Sequence, residues 1–523
     1  MYKIFLSVVV FLFLGCGGSD SYEPNNSGSS GDTSSKENAK SQETKDQSRP
    51  PVSVSVENVE QTLSNIKNDA QNIAPIQESD MNSVVLEPSV KPYKERSITV
   101  YVHGYDKDGT SYDTVYGYDA YDPMLDKLVE FTGFDTLKTY DPENFTNIVT
   151  ITPYYGRTAP DYYTPKDKED IEKITKMYGG GIPRYAAIVA KYARHVMRIT
   201  QAEHVNFIGA SLGALVVRWI IEKDVENLAS QRKILRWLSI EGVIRGNQVA
   251  SNENLVKFVN LIQKQPIDVK HMNYSWIDKH LHSPKGEAAS LYYKDILVSQ
   301  ISSTRATEPF KWLMPKTPND GYQAFKDTYF KTIADNVKFD GKDFAHTVFH
   351  QSHLGIKKDL GAWASVATFL LPHKRVKITL TGATVDNIHE HTYFLNKNAE
   401  IVFASEVFSP KSYEKWQIED AIDERLYDSG ALDIHKYKKD HEHKDFEQVL
   451  FDGFVLKDER DLKLRLSGFE IDQNDMYGVH DELNKREKLG AVDVDVKLQN
   501  YSLEFFADEW SGTLRVEVYD ISR

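Results

Sequence analysis

Val205-Asn-Phe-Ile-Gly209-Ala210-Ser211-Leu212-Gly213 runs from a short apolar segment into the longer stretch Ala214 to Glu222. Val205 to Ile208 predicts a buried strand, and Ala214 to Glu222 predicts a helix. A serine between two glycines at such a junction marks a sharp, strained turn, because side chains at the flanking positions would clash. The first turn of the helix brings unpaired backbone N–H groups and a positive dipole end toward the serine. Ser211 is therefore the candidate nucleophile of the chain.

The surroundings repeat the alternation of strand and helix. Upstream, Ile98, Val100 and Val102 alternate and end in His103-Gly104-Tyr105-Asp106, a strand running into a glycine turn. Asn147 to Thr152 predicts a second strand, stopped by Pro153. Ile182 to Ile199 predicts a long amphipathic helix with Ala187, Val189, Ala190, Tyr192, Ala193 and Val196 facing inward. Downstream, Ile234 to Ile240, Ile296 to Ile301 and Phe344 to Phe349 read as further strands, and a helix runs through Trp363 to Leu371. Strands separated by helices imply a mostly parallel sheet covered on both faces, the α/β class.

Gly-x-Ser-x-Gly in that setting resembles the α/β-hydrolases, and specifically bacterial lipases and esterases. The resemblance implies a Ser–acid–His order along the chain. His103-Gly104 resembles the oxyanion loop, which would pair the N–H of Tyr105 with that of Leu212. For the acid, Thr317-Pro-Asn-Asp320-Gly321 resembles the loop carrying the catalytic aspartate in several lipases; an ordinary Asn-Asp-Gly surface turn is the competing account. Asp327, Asp335 and Asp340 are lesser candidates, and Asp295 precedes its strand rather than following it. For the base, His353 in His-Leu-Gly-Ile follows the last strand as the family requires; His350 is the runner-up and His346 lies within the strand. Glu241 to Asn247 stands where lipases often carry a Gly-Thr-Pro-His-like segment, but its wording departs and no role is carried over. Residues 250 to 295, with Leu255, Phe258, Val259, Leu261 and Ile262 on one apolar face, are either a lid over the acyl pocket or a packed connection. The expected activity is hydrolysis of carboxylic esters, of lipids or other acyl groups, with no metal or organic cofactor. Alternatives are a thioesterase or acyltransferase using the same triad, or a non-catalytic binding or adhesion protein on the same scaffold.

After Pro372 the pattern changes to period two. Seven segments (376–380, 401–403, 449–451, 462–466, 492–496, 501–505 and 514–518) imply an antiparallel β-sandwich over residues 373–523. It weakly resembles calcium-and-lipid-binding domains attached to some lipases. Ser409 to Asp445 reads as a long loop or helical insertion. Asp472 to Asp475, His389 with His391, and His441 with His443 are possible ligand sets, with solvated turns the better account of each.

The first residues are an address. Met1-Tyr-Lys and the apolar run Ile4 to Leu14 match a secretory signal too short to span a bilayer. Leu12-Phe-Leu-Gly-Cys16 resembles the lipobox of bacterial lipoproteins, which implies cleavage after residue 15 and acylation of Cys16; Phe13 departs from the usual Leu or Val. Residues 16–50 read as a disordered tether and 51–94 as a helical segment. In the latter, Val52 to Ile73 carries a heptad stripe that would permit oligomerisation, though a helix lying on the main domain accounts for it better. Residues 95–372 form the expected catalytic unit. The expected location is the cell envelope, lipid-anchored, with the outer membrane favoured. The whole chain has 523 residues, one cysteine and a net charge of −14. These exclude a disulfide framework and argue against nucleic acid as partner.

Overall fold

In the computed structural model the described residues are 96–105, 123–141, 147–156, 158–252, 266–281, 290–293, 295–305, 318–330, 345–388, 398–419, 421–425, 433–471 and 487–521. Cys16, the tether, the 52–73 stripe, Asp335, Asp340, His389, His391 and Asp472 to Asp475 lie outside them, as do Leu255 to Ile262.

The first seven strands are β1 (Ser97–Val102), β2 (Asp135–Thr136), β3 (Ile148–Ile151), β4 (His204–Ala210), β5 (Ile234–Ile240), β6 (Leu297–Ser303) and β7 (Ala345–Phe349). They form one parallel sheet in the order β2-β3-β1-β4-β5-β6-β7. The α/β class expected from the alternation is the one observed. β1 and β4 are buried along their whole length, as fits strands covered on both faces. The covering helices include α1 (Pro123–Thr132), α2 (Pro165–Tyr178), α3 (Ile182–Thr200) and α4 (Leu212–Glu222). The inward face read for α3 is correct: Ala187, Val189, Ala190, Tyr192, Ala193 and Val196 are all buried.

The stretch 250–295 contributes α5 (Pro266–His271), α6 (Tyr274–His280) and a single helical turn at Ser290–Tyr293 among its described residues. These pack as a connection. Ile182 N donates to His271 Nδ1 (3.1 Å), and Trp276 stacks on Trp219 of α4.

Helix α7 (Leu360–Leu370) leads into the antiparallel part. Its start is fixed by Asp359, whose carboxylate accepts from Ala362 N at 2.9 Å. Then come β8 (His373–Val385), β9 (Ala399–Phe408), α8 (Pro410–Trp416), β10 (Asp423–Arg425), β11 (Ile434–Tyr437), β12 (Glu442–Leu456), β13 (Asp461–Glu470), β14 (Glu487–Lys497), β15 (Tyr501–Phe506) and β16 (Trp510–Asp520). One sheet runs β12-β8-β16-β15; the other runs β10-β9-β13-β14, with β11 also on β9. Trp510 of the first meets Phe403 of the second at 4.5 Å between ring centres.

Two expectations about this part are corrected. Nine strands are present among the described residues rather than seven, and the span 409–445 is no plain loop or helical insertion: it holds α8, β10, β11 and the start of β12. β10 is only Asp423-Glu-Arg425, with no apolar alternation to announce it. The first half of β12, Glu442 to Glu447, is charged and largely solvent-facing, so only its buried second half has the pattern of a strand. His441 and His443 form no common site. His441 pairs with Asp386, while His443 sits between Thr384 and Asp445.

The sandwich sheets and the α7 side of the parallel sheet share one apolar core, which includes Leu238, Ile301, Trp363, Phe369, Ile378, Phe403 and Leu466. β10 joins it to β7, where the Arg425 guanidinium donates to the His346 carbonyl and pairs with Asp423. Among the described residues no helix is long and apolar enough to cross a membrane.

Candidate active site

Ser211 stands between β4 and α4 at φ 51° and ψ −119°, a conformation that costs a non-glycine residue about 1–3 kcal/mol and persists only where its surroundings enforce it. Ser211 N donates to Ile240 O (2.8 Å), and Val243 N donates to Ser211 O (3.1 Å), so the neighbouring strand end holds both sides of the turn. The second glycine of the motif is sterically required. A Cβ on Gly213 would collide with the Val102 carbonyl at the end of β1.

The sequence-derived triad comes together. His353 Nε2 accepts from the Ser211 hydroxyl at 3.2 Å, and His353 Nδ1 donates to Asp320 Oδ2 at 2.7 Å. The carboxylate on Nδ1 fixes the tautomer that leaves Nε2 free to accept a proton. Asp320 Oδ1 in turn accepts from Tyr322 N (2.8 Å) and Gln323 N (2.7 Å). His353 N donates to the Asp320 carbonyl at 2.9 Å, locking the two loops to each other. Asp320 and His353 are 1 % and 4 % exposed, so this array works with little competition from water. The Asn-Asp-Gly turn is thus buried, not the surface turn that competed for its reading.

The segment after β5 braces the Asp320 loop. Asn247 Nδ2 donates to Tyr322 O and Gln323 Oε1, both at 2.8 Å, and Gln323 Nε2 donates to Gly246 O at 2.5 Å. The other acid candidates fall elsewhere. Asp327 accepts from the Tyr274 hydroxyl at 2.5 Å, and burial pushes its carboxyl up to about 6. Asp295 lies beside Arg232, 3.6 Å away. His346 is buried in β7 against Ser302 and Tyr329, and burial pushes its imidazole well below the usual range. It is His353 rather than His350 that reaches Ser211 and Asp320.

The His103–Gly104 loop lies against the serine. A Cβ on Gly104 would lie 3.2 Å from Ser211 Cβ, closer than a side chain is normally tolerated. The loop is held by Tyr154, whose hydroxyl donates to His103 O at 2.6 Å and whose ring stacks on the His103 imidazole at 4.0 Å. Tyr105 is buried next to it, and Leu212 is the first residue of α4.

Ser211, Gly104 and His353 line a cavity of about 30 Å³ whose apolar wall is Tyr101, Ile301, Ile356, Trp363 and Val366. None of the described residues of 250–295 lines it.

Glu241 also lines this cavity, although its sequence context carries no motif that assigns it a role. It is 2 % exposed, at φ 47°, with Oε2 3.2 Å from His353 Nδ1. The one signal for it is positional: an acidic residue directly after the strand beside the nucleophile strand. Among the described residues, Glu241, Asp320 and His353 are the one set of acidic and imidazole groups close enough to hold a metal ion. Asp320 and His353 of this set are hydrogen-bonded to each other, to Ser211 and to backbone N–H groups, and the Glu241 carboxylate stands 3.2 Å from the same Nδ1.

No family model matches the sequence, and no curated protein does. Solved structures do align. The mature lipase BlEst2 of Bacillus licheniformis is 10 % identical over 53 % of this chain and 90 % of its own, with a TM-score of 0.30. A metagenomic carboxyl esterase is 13 % identical over 51 % and 66 %, at 0.29. The phospholipase PlaB of Legionella pneumophila is 10 % identical over 77 % and 89 %, at 0.33. At such identities and scores none of these likenesses bears on this chain's chemistry, which rests on the geometry of Ser211, His353 and Asp320.

Proposed function

We propose that this chain is a serine hydrolase of carboxylic esters that works through an acyl-enzyme. The observation that carries the reading is the Ser211–His353–Asp320 array on a strained turn between a parallel strand and a helix. His353 takes the proton of Ser211 as the oxygen attacks the acyl carbonyl, then gives it to the leaving alcohol. Asp320 holds the imidazole in place and stabilises its cation. The N–H groups of Tyr105 and Leu212 receive the oxyanion, each worth roughly 3 kcal/mol in sites of this kind. Water then repeats the cycle and frees the acid.

The substrates we assign are acyl esters, lipids among them, in keeping with the apolar wall beside Ser211. A panel of nitrophenyl esters from acetate to palmitate tests this: saturable hydrolysis of at least one member is expected, and no hydrolysis of any ester in the panel would contradict the hydrolase.

We further propose that the protein is held on a bacterial membrane by acyl chains on Cys16, each buried methylene contributing about 0.8 kcal/mol. The lipobox-like Leu12 to Cys16 supports this. Cys16→Ser should move the protein from the membrane to the soluble fraction on fractionation; an unchanged distribution would refute the anchor.

A further inference from the structure

His353 Nδ1 carries one proton and faces two carboxylates. Asp320 Oδ2 is at 2.7 Å and Glu241 Oε2 at 3.2 Å. A triad needs only one of them, yet Glu241 is a buried carboxyl brought to this spot by a left-handed backbone at the end of β5. Its own N–H is fixed to Ile301 O at 2.8 Å, so its placement is set by the sheet. We propose that Glu241 is a second acidic partner of His353, a positioning residue that shares the Nδ1 proton with Asp320 and sets the pH at which the imidazole becomes available as base. This rests on the hydrolase reading for its consequence in turnover, although the pairing itself does not need it.

The electrostatics are consistent with that geometry. The groups facing Glu241 are His353, Asp320, the Ser303 hydroxyl at the end of β6, and Lys357 from the turn after His353. Burial, opposed by His353 and reinforced by Asp320, raises the Glu241 carboxyl well above the ordinary range. With its carboxylate 3.2 Å from Nδ1, Glu241 and the imidazole titrate as an interacting pair. With one proton between them, the imidazolium–carboxylate form competes with the neutral–neutral form. Burial weighs toward the neutral–neutral form and the attraction toward the other, which has no free base; to the extent that Glu241 is ionised it stabilises the imidazolium. Neutral His353 is thus reached at higher pH than Asp320 alone would require. Deprotonation through this pair needs no other acid or base.

The pairing also bears on Asp320. If Asp320 is removed, Glu241 remains beside Nδ1 and keeps the productive tautomer partly populated. Loss of both leaves the imidazole unoriented.

The test measures the titration midpoint of His353 from its carboxylate-bonded Nδ1 proton resonance in the full chain, together with kcat/KM for nitrophenyl acetate against pH. Glu241→Gln is expected to lower the midpoint, and the acid limb of kcat/KM, by about one pH unit, the usual effect of removing a neighbouring opposite charge. Asp320→Ala/Glu241→Gln should fall at least about tenfold below Asp320→Ala. A midpoint unchanged in Glu241→Gln would overturn the proposal, as would equal rates for Asp320→Ala and the double variant. Should Glu241→Gln not fold, Glu241→Asp retracts the carboxylate by one methylene and is read the same way: a lowered midpoint supports the pairing, an unchanged one overturns it. The resonance needs no turnover. A wild-type protein inactive on esters whose midpoint still falls in Glu241→Gln would therefore refute the hydrolase while sustaining the role of Glu241.

Discussion

Ser211→Ala should reduce ester turnover by about 10⁴–10⁶-fold while leaving the fold intact, the scale on which loss of a triad nucleophile acts elsewhere. The substitution removes one hydroxyl from a turn whose backbone is held by Ile240 and Val243, not by the side chain. Thermal stability should therefore change little, and that separation of activity from stability is what makes the variant informative. The N–H groups proposed to receive the oxyanion and the cavity remain, so residual hydrolysis above the uncatalysed rate is expected. A Ser211→Ala protein retaining more than about a tenth of wild-type kcat would place the chemistry elsewhere.

Glu222→Ala carries the largest expected effect on stability. Arg218 and Glu222 lie one turn apart on α4, 2.7 Å from each other, with side chains 0 % and 2 % exposed. Arg218 Nη1 also donates to Ile244 O (2.6 Å), and the Tyr293 hydroxyl donates to Glu222 Oε1 (2.8 Å). Removing the carboxylate takes the neutralising charge from a guanidinium held in the interior, at a cost of about 3–5 kcal/mol. Ile244 lies three residues beyond Glu241, so loosening it should also disturb the ground on which His353 is oriented. Urea unfolding checks this: a lower midpoint with unchanged slope is expected, with Glu222→Gln less affected because an amide oxygen still accepts from Tyr293. An Ala variant as stable as the wild type would show that the pair contributes nothing net.

The α/β half and its candidate site are legible in the sequence because their determinants are local. Ser211 needs a strained strand-to-helix turn, and the glycines that permit it are written beside it. Asp320 and His353 follow strands whose apolar runs are equally plain, and their loops occupy the expected places after β6 and β7. Glu241 is not legible as a participant. Its contact with His353 joins residues more than a hundred positions apart, and its local sequence matches no familiar wording. The same reason hides β10: Asp423-Glu-Arg425 has no pattern of its own and is a strand because it pairs with Ser405 to Val407 of β9. The exposed half of β12 lacks apolar alternation because a solvent-facing strand has no need of it. Short edge strands and pairings between distant buried polar groups are decided by tertiary context, which period and propensity do not encode.

The central claim is that Ser211 is a nucleophile activated by His353. A fluorophosphonate reacts covalently with such a serine and with few others. The direct measurement is labelling of the folded wild-type chain by a fluorophosphonate probe, with the modified peptide located by mass spectrometry. One label per chain on Ser211 is predicted, absent in Ser211→Ala and strongly slowed in His353→Ala. Labelling of the wild type no greater than that of Ser211→Ala, or a label on another residue, would contradict it.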